Sequence, residues 1–259
     1  MNASSPLHKR VVGFGPDLVL LHGWGLQGAV WDPLLPALSE HRRVSVIDLP
    51  GHGHSRDVPL DQPPEQALAA LAASLPQAPV DLIGWSLGGM LALALAAAHP
   101  ERVRRLVMVA ALPRFVQGPG WPQAMSPELL EQFAAVLADG YKATLTRFLA
   151  LQFHGVEGAA EKVRGLRDRL LEPAPDPDAL RGGLSLLTAL DLRDTLRDLP
   201  LPVSAIFGQR DMLVPAAAAA ILADLRPGLR TTVLEGAGHA PFLSHPQAFL
   251  HTLESHLDD

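Results

Sequence analysis

The chain has no cysteine, which removes disulfides, thiolate metal sites and a cysteine nucleophile, and fits a reducing compartment. It also lacks an excess of basic charge: 21 Lys and Arg stand against 27 Asp and Glu, a formal net charge of −6. That balance argues against nucleic acid as the main partner, while a local basic patch can still dock an acidic protein. Long apolar runs are missing too. The longest, Met90 to Ala98, is far short of a membrane span, and Met1 to Arg10 contains no apolar stretch of the kind a secretory signal needs. There is no internal repeat and no low-complexity linker. The expectation is a soluble, cytoplasmic chain that needs no membrane and nothing beyond a monomer.

What is present is a core. At 259 residues and 48% hydrophobic, the chain can fold as one domain or one domain with an insertion. Leu18–Leu21, Arg43–Asp48, Val80–Ile83, Val103–Ala110, Val203–Phe207 and Thr231–Leu234 read as strands. Between and after them, Met90–His99, Ala216–Leu225 and Phe249–Leu257 read as helices. Continuous apolar strands separated by helices imply an α/β fold with a mostly parallel sheet covered on both faces. From Pro113 to about Leu187 the pattern changes. Leu129, Phe133, Val136 and Leu137 share one helix face, and Leu145, Phe148, Leu149 and Leu151 belong to a second apolar helix. This segment reads as a helical cap, residues 113–187, inserted into a core formed by residues 1–112 and 188–259.

One segment carries the chemistry. Gly84-Trp-Ser-Leu-Gly88 falls where a strand turns into a helix, a sharp bend that pushes a serine hydroxyl clear of the backbone. The alternative is a helix N-terminus with Ser86 as its cap. A serine needs a base within hydrogen-bond reach, and the base needs a carboxylate to fix its tautomer. Asp211 follows the Val203–Phe207 strand and His239 follows the last strand. Loops at the carboxyl ends of parallel strands share one edge of the sheet, so Ser86, Asp211 and His239 can converge.

There are eleven histidines, and His239 has rivals. His245, His251 and His256 fall on or near a polar C-terminal helix and read as solvated. His99 sits at a helix end, and His22 reads as architectural. His52 and His54 flank Gly53 as an i,i+2 pair suggestive of a metal, but no third ligand is evident, so no metal is expected. Asp48, the rival carboxylate, reads as a cap on the Pro50-Gly51 turn. An oxyanion would need two N–H donors. Leu87, directly after the nucleophile, is one candidate and Trp24, in His22-Gly-Trp-Gly25, the other. The Trp24 and Trp85 rings would border an acyl pocket or, alternatively, pack in the core.

Leu21-His-Gly-Trp-Gly-Leu26, Asp48-Leu-Pro-Gly-His-Gly53, Gly84-Trp-Ser-Leu-Gly-Gly89 and Gly238-His-Ala-Pro-Phe242 together resemble the α/β-hydrolase superfamily. Trp24, Trp85, Arg147-Phe-Leu-Ala-Leu-Gln152 and His239-Ala-Pro-Phe-x-Ser-His-Pro246 resemble one branch, the pimeloyl-acyl-carrier-protein methyl ester esterases of biotin synthesis. The resemblance implies hydrolysis of the methyl ester on a pimeloyl chain borne by acyl carrier protein. It implies substrate contacts from Trp24, Ser86, Leu87, Phe148, Leu149, Ala150, Leu151, Gln152 and His239. It also implies that Arg147 and Arg164 dock the acidic carrier, helped by Lys142, Lys162, Arg167 and Arg169. Ala143 and Ala160 stand where further basic residues are expected, and Glu161 adds an opposing charge.

The expected activity is therefore a serine carboxylesterase working through an acyl-enzyme without cofactor or metal. Alternatives are a broad-specificity short-chain esterase without a carrier partner, a carbon–carbon bond hydrolase, a cofactor-free haloperoxidase, and a ligand-binding protein that hardly turns over. Ser86 argues against the dehalogenase and epoxide hydrolase branches, which place an aspartate there.

Overall fold

In the computed structural model, which describes residues 7–61, 63–139, 141–151 and 172–258, each of the apolar runs forms a strand. Seven strands make one sheet: β1 (Lys9–Val12), β2 (Asp17–Leu21), β3 (Arg43–Ile47), β4 (Val80–Trp85), β5 (Val103–Val109), β6 (Val203–Gly208) and β7 (Arg230–Leu234). Their order is β1-β3-β2-β4-β5-β6-β7. All neighbours are parallel except β1, which runs antiparallel to β3 with Lys9 opposite Ile47. The sequence pattern does not announce β1, because its four residues are mostly exposed and carry no alternation.

The described helices are α1 (Leu35–Leu38), α2 (Glu65–Ser74), α3 (Leu87–Ala98), α4 (Pro127–Asp139), α5 (Tyr141–Leu151), α6 (Pro177–Ala189), α7 (Arg193–Asp198), α8 (Ala218–Leu225), α9 (Pro241–Ser244) and α10 (Pro246–Leu257). Successive strand side chains point to opposite faces, so each central strand feeds two cores. Val19, Leu82, Met108 and Phe207 join one cluster; Leu20, Ile83, Val109 and Ile206 join the other. The first is covered by α2, α3 and α8, and the second by α10 through Phe249, Leu253 and Leu257. Each such buried side chain contributes roughly 1.5–3 kcal/mol relative to exposure. Helix α3 is apolar nearly all round and buried over most of its length, as a helix central to a sheet face must be.

The chain between β5 and β6 holds α4 to α7. Its roots are tied together: Leu192 N donates to Pro113 O at 2.8 Å, and Arg114 pairs with Asp191 at 2.7 Å. The Arg193 guanidinium on the same carboxylate holds Asp191 well below the usual carboxylate range. The boundary expected at residue 187 falls inside α6, which runs on to Ala189; Asp176 accepts from the Asp178 and Ala179 amides as its N-cap. No helix among the described residues is long and apolar enough to cross a membrane.

Asp81, at the start of β4, is a fully buried charge. Arg104 grips both its oxygens at 2.9 and 2.7 Å, and Arg42 adds a bond at 3.0 Å. Removing one partner of a buried pair costs about 3–5 kcal/mol, but Arg104 is 39% exposed and regains water when freed. Asp81→Ala is expected to lower unfolding stability by about 2–3 kcal/mol, read from urea denaturation; a loss under about 0.5 kcal/mol would show that the pair stabilises nothing.

Candidate active site

Ser86 occupies the turn from β4 into α3 with φ 55° and ψ −121°, a region that side-chain-bearing residues rarely adopt. The turn is possible because its neighbours are bare. A Cβ on Gly88 would fall closer than 3.0 Å to the His22 and Leu21 carbonyl oxygens, and one on Gly84 would strike Gly88. Helix α3 thus starts against the ends of β2 and β4, with the Leu87 N–H in its first turn, where no intrahelical acceptor exists. The Ser86 side chain makes no cap hydrogen bond, so the cap alternative does not describe it.

Asp211, after β6, and His239, after β7, meet: His239 Nδ1 lies 2.7 Å from Asp211 Oδ2, both side chains fully buried. The other oxygen, Oδ1, accepts from the Leu213 and Val214 amides at 2.8 and 2.9 Å. The carboxylate is therefore held from both sides. With Nδ1 facing the carboxylate at hydrogen-bond distance, the imidazole keeps its proton there and leaves Nε2 as an acceptor. That Nε2 is buried and without a hydrogen-bond partner among the described residues. The His239 carbonyl accepts from Trp85 Nε1 at 2.8 Å. The Trp85 ring packs against His239 and Phe242, and Phe242 stacks on Trp31. Trp85 is thus a core residue that fixes the histidine loop, the packing alternative for its ring, and it is not among the residues that line the cavity.

Trp24 does. Its indole donates to Leu180 O of α6 at 2.8 Å; Gly183, one turn on, has no Cβ to collide with the ring. A Cβ on neighbouring Gly23 would stand 3.2 Å from Ser86 Cβ, so this loop abuts the serine. Trp24 and Ser86 open on a cavity of about 200 Å³ walled by Phe115, Met125, Leu130, Phe133, Leu184, Leu187 and Leu213, with half-exposed Leu129 and Met212 also lining it. Ser86 supplies the one hydroxyl among the described residues lining it. Sequence reasoning missed most of these walls. Met212 and Leu213 had a signal in their adjacency to Asp211; Phe115 and Met125 had none.

Of the other residues implied by resemblance, Leu87 is buried and in the same apolar cluster as Trp24. Leu149 is buried in the opposite cluster, Ala150 is exposed, and neither lines this cavity. Arg147 is exposed on α5. Gln152, Lys162, Arg164, Arg167 and Arg169, and the side chains of Lys142, Phe148 and Leu151, lie outside the described residues. His256, expected in solvent, is buried beside Thr232 Oγ1 at 2.9 Å.

His22 and His52 are architectural. The His22 Nδ1 donates to Gly23 O at 2.8 Å while its Nε2 accepts from Leu49 N at 2.8 Å. His52 repeats the arrangement with Pro50 O and Gly25 N. Together they lock the loop that carries Trp24. Protonation of either would break an accepted bond and bury a charge. Burial accordingly lowers both from the usual 6.5, His52 to about 3, against a smaller opposing pull from Asp48. Asp48 itself accepts from Gly28 N and His54 N, so it ties the short helical segment Gly28–Leu34 to residue 54 instead of capping the Pro50-Gly51 turn, whose Gly51 N bonds to Ser55 O.

The profile of the alpha/beta hydrolase fold family matches residues 16–246, and the chain belongs to that family. It is 47% identical over 247 residues to a pimeloyl-acyl-carrier-protein methyl ester esterase of Aeromonas hydrophila, covering 93% of this chain and 95% of that protein. The esterase of the same name from Xanthomonas oryzae is 48% identical over 242 residues, covering 92% and 94%. Similarity of that extent puts the chain in the same branch of the family as these esterases. Among solved structures, an esterase from Exiguobacterium antarcticum superposes with a TM-score of 0.87 at 23% identity, covering 98% of this chain and 96% of its own. A bromoperoxidase from Bacillus anthracis reaches 0.85 at 22%, covering 97% and 95%. These two share the fold alone.

The neutral histidines set a pH dependence. Since the folded values lie below the unfolded value of 6.5, the unfolded chain binds more protons between them and stability rises with pH. It is full above about pH 6.5 and falls as pH drops toward the folded values, by up to about 1.4 kcal/mol per pH unit for each histidine. Urea denaturation from pH 8 to pH 4.5 should show this slope, and His52→Gln should reduce it by about one proton; an unchanged slope would mean that His52 is not held neutral.

Proposed function

We propose that this chain is a serine carboxylesterase that hydrolyses the methyl ester of a pimeloyl chain presented by acyl carrier protein. The observation that carries the reading is Ser86: a strained serine supplying the one hydroxyl on an otherwise apolar cavity, behind which an Asp-held histidine keeps Nε2 unbonded. An apolar acyl chain fills such a cavity, and an ester carbonyl is the group a serine there can attack. Relatives covering nearly the whole chain carry that activity in their names.

In this mechanism His239 Nε2 takes the Ser86 proton as Oγ attacks the ester carbonyl. The Leu87 and Trp24 main-chain N–H groups hold the oxyanion, each such donor contributing about a hundredfold or more. The tetrahedral intermediate collapses, and His239 gives its proton to departing methanol. Water then surrenders a proton to His239 and attacks the acyl-enzyme, releasing the acid and restoring Ser86. Asp211 orients the imidazole throughout. Nucleophile and proton shuttle both come from side chains, so the chemistry calls for no cofactor. The carboxylate product meets no cation among the described cavity walls, and a charge in an apolar site is strongly disfavoured. The ester is therefore held better than the acid it becomes.

Carrier recognition rests on Arg147, exposed on α5, and on Arg164, Lys142 and Lys162, whose positive charge complements an acidic protein. The reading has a monomer acting in the cytoplasm, with no nucleic acid or membrane involved.

Ser86→Ala should cut turnover by about a thousandfold or more with unchanged folding by circular dichroism; retention of most activity would sink the mechanism. The kcat/KM for methyl pimeloyl-acyl carrier protein should exceed that for the free methyl ester, and Arg147→Glu with Arg164→Glu should abolish the difference. Equal turnover of both esters would keep the triad and make the protein a broad-specificity short-chain esterase.

A further inference from the structure

A second cluster lies where β1 begins, outside the residues that line the cavity at Ser86. His8 precedes β1, Asp48 follows β3, and His54 lies in the Gly53–Ser55 turn. The antiparallel pairing of β1 with β3 brings the three together. His8 Nδ1 stands 3.1 Å from Asp48 Oδ2, and His54 Nδ1 stands 3.4 Å from the same oxygen. The two rings lie 4.5 Å apart, tilted by 38°.

The cluster is anchored below and open above. Asp48 is buried; Gly28 N fixes its Oδ1 at 2.7 Å and His54 N fixes its Oδ2 at 2.9 Å. The His8 backbone is tied as well: its N–H donates to Ser55 Oγ at 2.9 Å and its carbonyl accepts from Asp48 N at 3.0 Å. The imidazoles themselves are about half exposed. Hydrogen bonding explains one of them. With the His54 amide already on Oδ2, one lone pair remains, which His8 Nδ1–H can take; the second Nδ1 at 3.4 Å is too long and crowded for a good bond.

A cation explains both. Zinc binds imidazole nitrogen and carboxylate oxygen at about 2.0–2.1 Å with tetrahedral angles, which spaces neighbouring ligand atoms by about 3.3 Å. The two N···O separations bracket that spacing, and all three ligand atoms lie within 4.8 Å of one another. The backbone amides on Asp48 supply the outer hydrogen bonds that orient a ligating carboxylate. We propose that His8, Asp48 and His54 form a site for a divalent cation of the zinc class, with water completing the shell on the exposed side. Such an ion staples the start of an exposed edge strand to the Asp48–Ser55 turn. Its role is structural, apart from ester hydrolysis. His52, the sequence neighbour that suggests an i,i+2 pair, points inward to Pro50 O and Gly25 N; the partner of His54 comes from residue 8.

The test is calorimetric titration of zinc chloride into tag-free, full-length protein stripped with EDTA, beside His8→Ala, His54→Ala and, as a control, His251→Ala on the exposed face of α10. The wild type and control should bind one equivalent at micromolar affinity, and each site variant should bind about tenfold or more weakly. At a hundredfold excess over the wild-type Kd, zinc should raise the wild-type Tm by about 5 °C or more and move the site variants no more than about half as far. All four proteins should show equal Tm within a few degrees in EDTA and equal ester turnover, which separates loss of metal from loss of fold. No zinc binding by the wild type, or wild-type affinity in either site variant, overturns the proposal.

Discussion

The close approach of α3 to the ends of β2 and β4 is the constraint on which the rest of the structure depends. Gly84 and Gly88 let backbone touch backbone where any side chain would intrude, and the chain can then reverse within one residue. Ser86 absorbs the cost in a left-handed conformation. Such strain persists only where the surroundings over-determine it, and here they do. The strand before the turn is hydrogen-bonded on both sides, the helix after it is buried over most of its length, and Ser86 N is itself bonded to Val109 O at 2.9 Å.

Everything around the serine is fixed in the same way, by buried polar groups that have all found partners. His22 and His52 each use one ring nitrogen as donor and the other as acceptor, so the loop holding Trp24 is set by hydrogen bonds that exist only for neutral rings. Asp211 takes two amides on one oxygen and His239 on the other. Trp85 turns its indole to the His239 carbonyl and its ring to Phe242. Trp31 Nε1, stacked on Phe242, is one exception among the described residues and His239 Nε2 another, and an unsatisfied buried nitrogen such as the histidine's is costly. Its placement beyond an oriented Asp–His pair makes sense if substrate chemistry supplies the missing partner, since catalytic hydrogen bonds often tighten only once substrate is bound.

How legible this was in the sequence follows from burial. The six parallel strands were readable because strands covered on both faces are continuously apolar, and the loops at their carboxyl ends could be assigned to one edge without knowing any distance. Ser86, Asp211 and His239 belong to that logic, and the structure brings the last two into contact. Strand β1 escaped because an exposed edge strand of Lys-Arg-Val-Val has nothing to alternate. Helix α6 opens on Asp176 before Pro177, an N-cap followed by proline, and the boundary at 187 falls inside it because its buried face ends at Leu187 while the helix runs on through exposed Thr188 and Ala189. For Trp85 the sequence leaves pocket and core both open; in a strand, adjacent residues point to opposite faces, and its ring joins the core cluster that holds Phe242.

The cavity and the His8 cluster were illegible for a common reason. Both are made by residues from elements that no local pattern links: Phe115 and Met125 with Leu184 across the insertion, His8 with His54 across an antiparallel pairing. In each case the residue types were visible and the juxtaposition was not. The same argument separates the two halves of the functional reading. The sheet edge that carries Ser86, Asp211 and His239 belongs to the fold, which solved structures of an esterase and a bromoperoxidase share. In the proposed function, choice of substrate falls to the inserted helices, whose apolar residues wall the cavity beside Ser86. A fold can host many reactions while its grafted surfaces decide which one proceeds, and here the deciding surface is the one that sequence patterns describe least.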